Sequence, residues 1–405
     1  MKINAIVCEY NPLHNGHLYL LEKSKELNPD SFTICIMSGN FVQRGEPAIM
    51  DKWERTKWAI IAGADLVVEL PTFFSLQSAE RFAFGAVKIA SMICDNGFVS
   101  FGSENDDIEL LKDIAKVILP CNNKFKEQLQ KHLYNGSVPF AAARQKSIID
   151  CLGNKYDKEV LSKTVSSSNC ILAIEYIKAL YMLGSNLQPN AVLRKTSIYN
   201  EKELSGEFSS ATAIRKAIKA KNDFSFAVPP YVYESLNQNE LPDISHLENI
   251  ISYKLRTMPS EKIADIMDVS EGIENLLSKA AGSYNTLSDI IAYATNKRYT
   301  ASRIRRICYF ILLDITKKKY PAFNELYSPI YARVLGFKKE AQPLLKHIKE
   351  NSDIPLITSV KDGLELKEIA PLLQLDIKAT DIYSLSLSGD KAKANRDYTN
   401  KIITL

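Results

Sequence analysis

The residues best suited to chemistry lie near the N-terminus, in Asn11-Pro12-Leu13-His14-Asn15-Gly16-His17. Two imidazoles three positions apart, with a glycine between them, open a helix-like segment. A helix start offers free backbone N–H groups and the positive end of its dipole to a phosphate. Pro12 restricts the loop, and Gly16 lets the backbone pass close to a ligand. His14 and His17, the expected catalytic pair, can each donate a hydrogen bond to phosphate oxygens whose charge grows in the transition state. The same spacing also arises by chance or as half of a metal site. The remaining histidines, His132, His246 and His347, show no ligand spacing with the pair, so no protein-bound metal is expected.

Three further segments carry chemical groups. In Phe208-Ser209-Ser210-Ala211-Thr212-Ala213-Ile214-Arg215 the Ser210 and Thr212 hydroxyls suit outer phosphates and Arg215 can neutralise them. Alone, that stretch reads as a serine-rich helix cap with a surface arginine. The polar, glycine-bounded segment Gly39 to Asp51 places Gln43, Arg44 and Asp51 where they can close over phosphates or a small carboxylate, or form a solvated loop with a cap at Asp51. From Asn296 to Arg306 the cations Lys297, Arg298, Arg303, Arg305 and Arg306 surround Tyr299 with no acidic residue among them. Such a run usually marks a solvated face. Here it leads straight into the apolar Ile307 to Leu313, which would fix the arginines on an anchored helix for RNA phosphates and leave Tyr299 to stack on an unpaired base.

These groups need a scaffold, and the chain spells one. Ile3 to Val7, Phe32 to Met37, Leu66 to Leu70, Phe98 to Phe101 and Ala191 to Arg194 read as strands, separated by helices over His17 to Leu27, about Lys52 to Ala62, about Gln77 to Cys94, and from about Thr212. Five strands alternating with helices predict a Rossmann-like parallel sheet, interrupted by a helical insertion over roughly 107–185. Ligands of such sheets bind beyond the carboxyl ends of the strands, where the two-histidine segment falls. Val228-Pro229-Pro230 reads as a linker. The division expected is a nucleotide-binding domain over 1–223 and a mainly helical, RNA-binding domain over 224–405, closing in a short mixed tail.

Composition limits the alternatives. A hydrophobic share of 46% and a charged share of 24% describe a chain that can bury a core, and a net charge of +4 permits a polyanionic partner without requiring one. The seven cysteines are scattered, with no C-x-x-C pair, which fits a reducing cytoplasm. No stretch approaches the ~20 apolar residues that would span a bilayer, so no membrane association is expected.

The two-histidine motif after strand one, with a Ser-x-Thr-x-Ile-Arg-like segment after strand five, resembles the nucleotidylyltransferase superfamily that includes pantetheine-phosphate and nicotinamide-mononucleotide adenylyltransferases. This sequence departs from it at Ser210-Ala211-Thr212, where those enzymes carry Ser-Ser-Thr. Cys8 to His17, Met37 to Ala48 and Gly63 to Pro71 together resemble the bacterial tRNA(Met) cytidine acetate ligase family more closely. That resemblance implies activation of acetate by ATP to acetyl-adenylate, then transfer to N4 of the wobble cytidine of elongator tRNA(Met). It also implies ATP along Val7, Cys8, Glu9, Tyr10, Asn11, Pro12, Leu13, His14, Asn15, Gly16, His17, Leu18, Tyr19 and Leu20, with Gly102, Asn169, Arg194 and Lys195. The strand pattern separately puts Gly102 and Arg194 at strand carboxyl ends. Mg2+ is expected to accompany ATP, and no obligate protein partner is inferred. The alternatives are a small-molecule adenylyltransferase of cofactor metabolism and a nucleotide- or RNA-binding regulator with a vestigial motif.

Overall fold

The computed structural model describes residues 1–134, 139–195, 204, 206–320, 323, 326 and 328–405. The five expected strands are β1 (Ile3–Cys8), β2 (Phe32–Ser38), β3 (Leu66–Leu70), β4 (Gly97–Ser103) and β5 (Gln188–Leu193), all parallel, in the order β3-β2-β1-β4-β5. The order reverses between β1 and β4, and a crevice therefore opens beyond the carboxyl ends of those two strands. Strand alternation builds a core on each face: Ile3, Ala5, Ile34, Ile36, Leu66 and Val68 point to one side, and Ile6, Cys8, Cys35, Met37 and Val67 to the other.

Helices α1 (Asn15–Leu27) and α2 (Lys52–Ile61) cover the Ile6, Cys35 and Val67 face, and α3 (Ala79–Ile93) covers the other. The insertion between β4 and β5 is helical, as expected, and ends in α4 (Ser168–Leu183), which packs against α3. After β5 come α5 (Ala211–Ala220), a helix over Pro230–Gln238, α6 (Ile244–Thr257), three shorter helices and α7 (Ala301–Leu313). The segment read as a linker therefore starts a helix, with Pro230 as its first residue, where a missing N–H costs nothing.

The C-terminal stretch is more than a mixed tail. It returns to the sheet with β6 (Ala332–Phe337), antiparallel to β3, and adds β7 (Leu356–Ile357) and β8 (Ile403–Thr404) on β6. Between β7 and β8 runs α8 (Ala370–Ser384). Strand five also begins earlier than its pattern suggested, because Pro189 lies within it; a proline is tolerated there since β5 ends the sheet. Among the described residues no helix is long and apolar enough to cross a membrane, and no group of three or more His, Cys, Asp or Glu is placed to hold a metal.

Candidate active site

Strand β1 delivers the motif to the crevice. Val7 and Cys8 end the strand, Glu9 follows, and Tyr10 takes a left-handed backbone conformation at φ 47° that turns the chain. The Asn11–Pro12 peptide is cis. Leu13 is fully buried and anchors the turn in the core, and Leu18 and Leu20 pack against the same cluster from α1. Asn15 donates to the carbonyls of Glu207 (3.2 Å) and Phe226 (2.9 Å), fastening the start of α1 to the chain around α5.

His14 is the N-cap of α1. Its Nδ1 accepts from the Gly16 N–H at 3.1 Å, while His17 Nδ1 accepts from the His14 N–H at 3.3 Å. The two rings stack with centroids 3.7 Å apart, and Tyr10 meets His17 edge-on at 5.2 Å. Because both Nδ1 atoms are acceptors, each neutral ring carries its proton on Nε2, which is left to donate to a ligand. Neutrality is strongly favoured. Burial, then the charges of His17 and Arg194, push His14 well below its ordinary value, and burial with Arg194 lowers His17 to about 3. His17 keeps an edge open to solvent, but its ring is packed between His14 and Tyr10, which is why desolvation dominates.

Depressed histidine values mean that these rings stay neutral throughout the physiological range, so the rate of chemistry that uses them should show no limb near pH 6.5. The stability they contribute is full above the unfolded value and is lost as pH falls from about 6.5 towards 3. A pH–rate profile with a single-proton loss of activity centred near 6.5 would contradict the neutral pair.

Opposite the histidines stands a second group. Gly102 and Ser103 pair with Val192 and Leu193 at the ends of β4 and β5, and the Arg194 N–H bonds to the Ser103 carbonyl at 3.0 Å. The Arg194 guanidinium donates to Asn169 Oδ1 at 3.3 Å, and Asn169 donates to Glu104 at 2.6 Å. Arg194 Nε is buried and has no hydrogen-bond partner. Gly102 leaves room for this arginine, since a Cβ there would stand 3.3 Å from its Cγ. Lys195 lies over the rings of Tyr19 (4.5 Å) and Phe208 (5.5 Å). Glu104 escaped sequence reading, though its place just past Gly102 was the available signal. Burial opposes its charge, but the Asn169 hydrogen bond holds its carboxyl below the usual range.

The third side comes from α5. Ser210 caps the helix, accepting from the Ala213 N–H at 3.2 Å, and Thr212 is half-buried in its first turn. Arg215 donates to the Asn11 carbonyl and to Glu46, both at 2.7 Å. The segment Gly39 to Asp51 is largely buried and contains a two-stranded hairpin, Phe41–Val42 with Glu46–Pro47. The Gln43 N–H bonds to the Glu9 carboxylate at 2.6 Å, whereas the Arg44 side chain is exposed. Asp51 serves structure: it caps α2 through the Glu54 N–H (3.0 Å) and pairs with Arg396 at 2.6 Å. Buried Arg55, which nothing local singled out, donates to the carbonyls of Glu9 (2.6 Å), Ser38 (3.0 Å) and Met50 (2.9 Å) and thereby clamps the hairpin to β1. Burial and the neighbouring Cys35 push the Cys8 thiol well up, so it packs as a thiol.

The cationic segment is less open than expected. Tyr299 is buried and its hydroxyl donates to the Glu271 carbonyl at 2.7 Å, so its ring is core and offers no stacking face. The missing acid is supplied from elsewhere in the chain: Asp268 lies 3.2 Å from Arg303 and 3.9 Å from the mostly buried Arg306. Lys297 and Arg298 are exposed, and Arg305 is half-buried on α7.

Residues 1–398 match the family model described as HIGH Nucleotidyl Transferase. The chain is 40% identical to a tRNA(Met) cytidine acetate ligase of Caldanaerobacter subterraneus subsp. tengcongensis over 100% of both chains, and 41% identical to one of Clostridium perfringens over 98% of both. Two crystal structures of Thermotoga maritima TmcAL, one apo and one bound with alpha-thio ATP, each share 31% identity over 100% of both chains, with TM-scores of 0.93 and 0.90. With its paired histidines at the sheet's switch point, the chain belongs to the tRNA(Met) cytidine acetate ligase family of HIGH nucleotidyl transferases.

Proposed function

We propose that this protein activates acetate with ATP, releasing pyrophosphate, and transfers the acetyl group to N4 of the wobble cytidine of elongator tRNA(Met) in the cytoplasm. The observation that carries the adenylation half is the stacked, neutral histidine pair with both Nε2–H groups left to donate at a helix N-terminus. The acetate carboxylate attacks the α-phosphorus, and no enzyme nucleophile is required. His14 and His17 then stabilise charge on the α-phosphate, Arg194 and Lys195 approach from the β5 side, and Arg215 with the Ser210 and Thr212 end of α5 faces the outer phosphates. Residues 7–20 wrap the nucleotide, with Gly102 and Asn169 across the crevice. Mg2+ enters on the phosphates of ATP. The relatives' names favour this reading over a small-molecule adenylyltransferase. The direct test is acetylation of elongator tRNA(Met) in the presence of ATP and acetate, read by mass spectrometry of its nucleosides. Pyrophosphate release that ignores acetate and leaves the tRNA unmodified would reject it.

We assign RNA docking to the cations around the start of α7 that Asp268 does not hold, the exposed Lys297 and Arg298 and the half-buried Arg305. Arg303 and Arg306 are tied to Asp268, so the informative variant replaces Lys297, Arg298 and Arg305 together by alanine. Acetate-dependent pyrophosphate exchange should persist while tRNA affinity falls. The log–log salt slope should flatten by roughly 0.7 to 0.9 for each RNA phosphate that is no longer neutralised. Unchanged affinity and slope would place the RNA elsewhere.

A further inference from the structure

The hairpin Phe41–Val42/Glu46–Pro47 touches both functional regions at once. On one side the hairpin and the chain just after its second strand hold the turn between β1 and α1: Gln43 N–H bonds to Glu9 (2.6 Å) and Ile49 N–H to Asn11 Oδ1 (2.7 Å) directly, and Glu46 acts through Arg215 (2.7 Å), which donates to the Asn11 carbonyl (2.7 Å). On the other side it lies against α7. Gly45 has φ +75°, and a Cβ there would stand 2.8 Å from the Arg306 backbone nitrogen and 3.0 Å from its Cα. The base of the hairpin is equally fixed. Phe41 packs on Tyr309 of α7 (5.8 Å) and Tyr383 of α8 (6.2 Å), and Tyr383 donates to the Ala48 carbonyl at 2.9 Å. The tip residue Arg44 is exposed, and Gln43 and Glu46 beside it are half-buried.

We propose that this hairpin is the positioning element that sets an RNA docked on α7 in register with the adenylate site, with Gly45 and Glu46 as its positioning residues. The inference rests on the function proposed above and concerns its second step. In that step the cytidine N4 forms a bond to the acetyl carbonyl carbon, the bond from that carbon to the phosphate oxygen breaks, AMP leaves with the electron pair, and N4 loses a proton. If the base is held out of register, water attacks the same carbon instead and yields acetate and AMP. A misplaced hairpin therefore separates ATP consumption from RNA acetylation, whereas a hairpin that only supports the fold would lower both together.

The experiment measures AMP released and acetylcytidine formed in one reaction of the full-length enzyme with ATP, acetate and tRNA. In the wild type the two should rise together. In Gly45→Ala the added methyl meets backbone that cannot yield, so acetyl transfer at saturating tRNA should fall by about 10- to 100-fold, in kcat more than in KM. Acetate-dependent pyrophosphate exchange should stay within a few-fold of wild type, and AMP per acetyl group should climb severalfold. Exchange retained with a wild-type AMP-to-acetyl ratio would overturn the proposal, as would a folded variant that has lost exchange. If Gly45→Ala does not fold, Glu46→Gln carries the test: a raised ratio supports the proposal and an unchanged ratio overturns it. A wild type that turns over ATP but acetylates no tRNA refutes the parent function, and this inference with it.

Discussion

Replacing His14 or His17 by alanine is expected to slow acetate-dependent exchange of labelled pyrophosphate into ATP by about two to three orders of magnitude, the scale of losing one preorganised donor to a developing anion. The geometry explains why a single ring should matter so much. Each Nδ1 is committed to a backbone N–H, so each Nε2–H is oriented before substrate arrives. Burial and the nearby Arg194 keep both rings neutral, so each Nδ1 remains an acceptor that fixes the ring and each Nε2 holds the one proton offered to the phosphate. The alanine variants also lose the capping interactions of α1, which costs about 1 kcal/mol. His14→Asn separates the two contributions, because asparagine caps well but places no donor where Nε2 stands. The expected result is near wild-type thermal stability with exchange as slow as in His14→Ala. Exchange within tenfold of wild type in both alanine variants would remove the histidines from the chemistry.

What could be read before the structure was whatever is local in sequence. The turn from β1 into α1 supplies its own strand end, proline loop, cap and donors, so ten consecutive residues announce it. The groups that sequence missed depend on partners brought from far away. Glu104 is meaningful only because Asn169 meets it, and Arg55 only because three segments offer it carbonyls. Tyr299 has the same side chain whether it stacks on a base or fills a core, and only the Glu271 carbonyl decides which. Strand β6 was hidden for a related reason. It contains an arginine and a glycine, both poor strand signals, yet Arg333 is neutralised by distant carboxylates and Gly336 admits Thr56, Ile60 and Ile403 to within 2.8 Å of where its Cβ would be.

Those carboxylates belong to a buried network whose disruption should have the largest effect on stability. Lys52 Nζ is 2.9 Å from each Glu69 oxygen and 2.8 Å from Asp397, while Arg333 is 3.0 Å from Glu69 and donates to Asp397. Two cations and two anions close the charge with almost no water, and they join α2 and β3 to β6 and the C-terminal segment. Gly39 sits directly above, since a Cβ there would be 2.5 Å from Glu69, so the network also supports the loop that leads into the hairpin. Removing one member leaves an uncompensated buried charge, so Asp397→Asn or Glu69→Gln should destabilise the protein by about 3–5 kcal/mol. The pH dependence gives an independent check. Burial opposes the charge of Asp397, but Lys52 and Arg333 hold it at about 2, so its stabilisation is present above the unfolded carboxylate value and lost as pH falls through the acid range. Neighbouring Asp376 has the opposite sign. Burial, then the charge of Glu69, raises it to about 7, so its contribution is full below the unfolded value and lost as pH rises through 7. Asp376→Asn should therefore flatten the decline in stability between about pH 4 and 7, while Asp397→Asn should flatten the acid-side loss. Denaturant midpoints measured across pH would decide it, and a Glu69→Gln variant within about 1 kcal/mol of wild type would mean that water, rather than ion pairing, solvates this cluster.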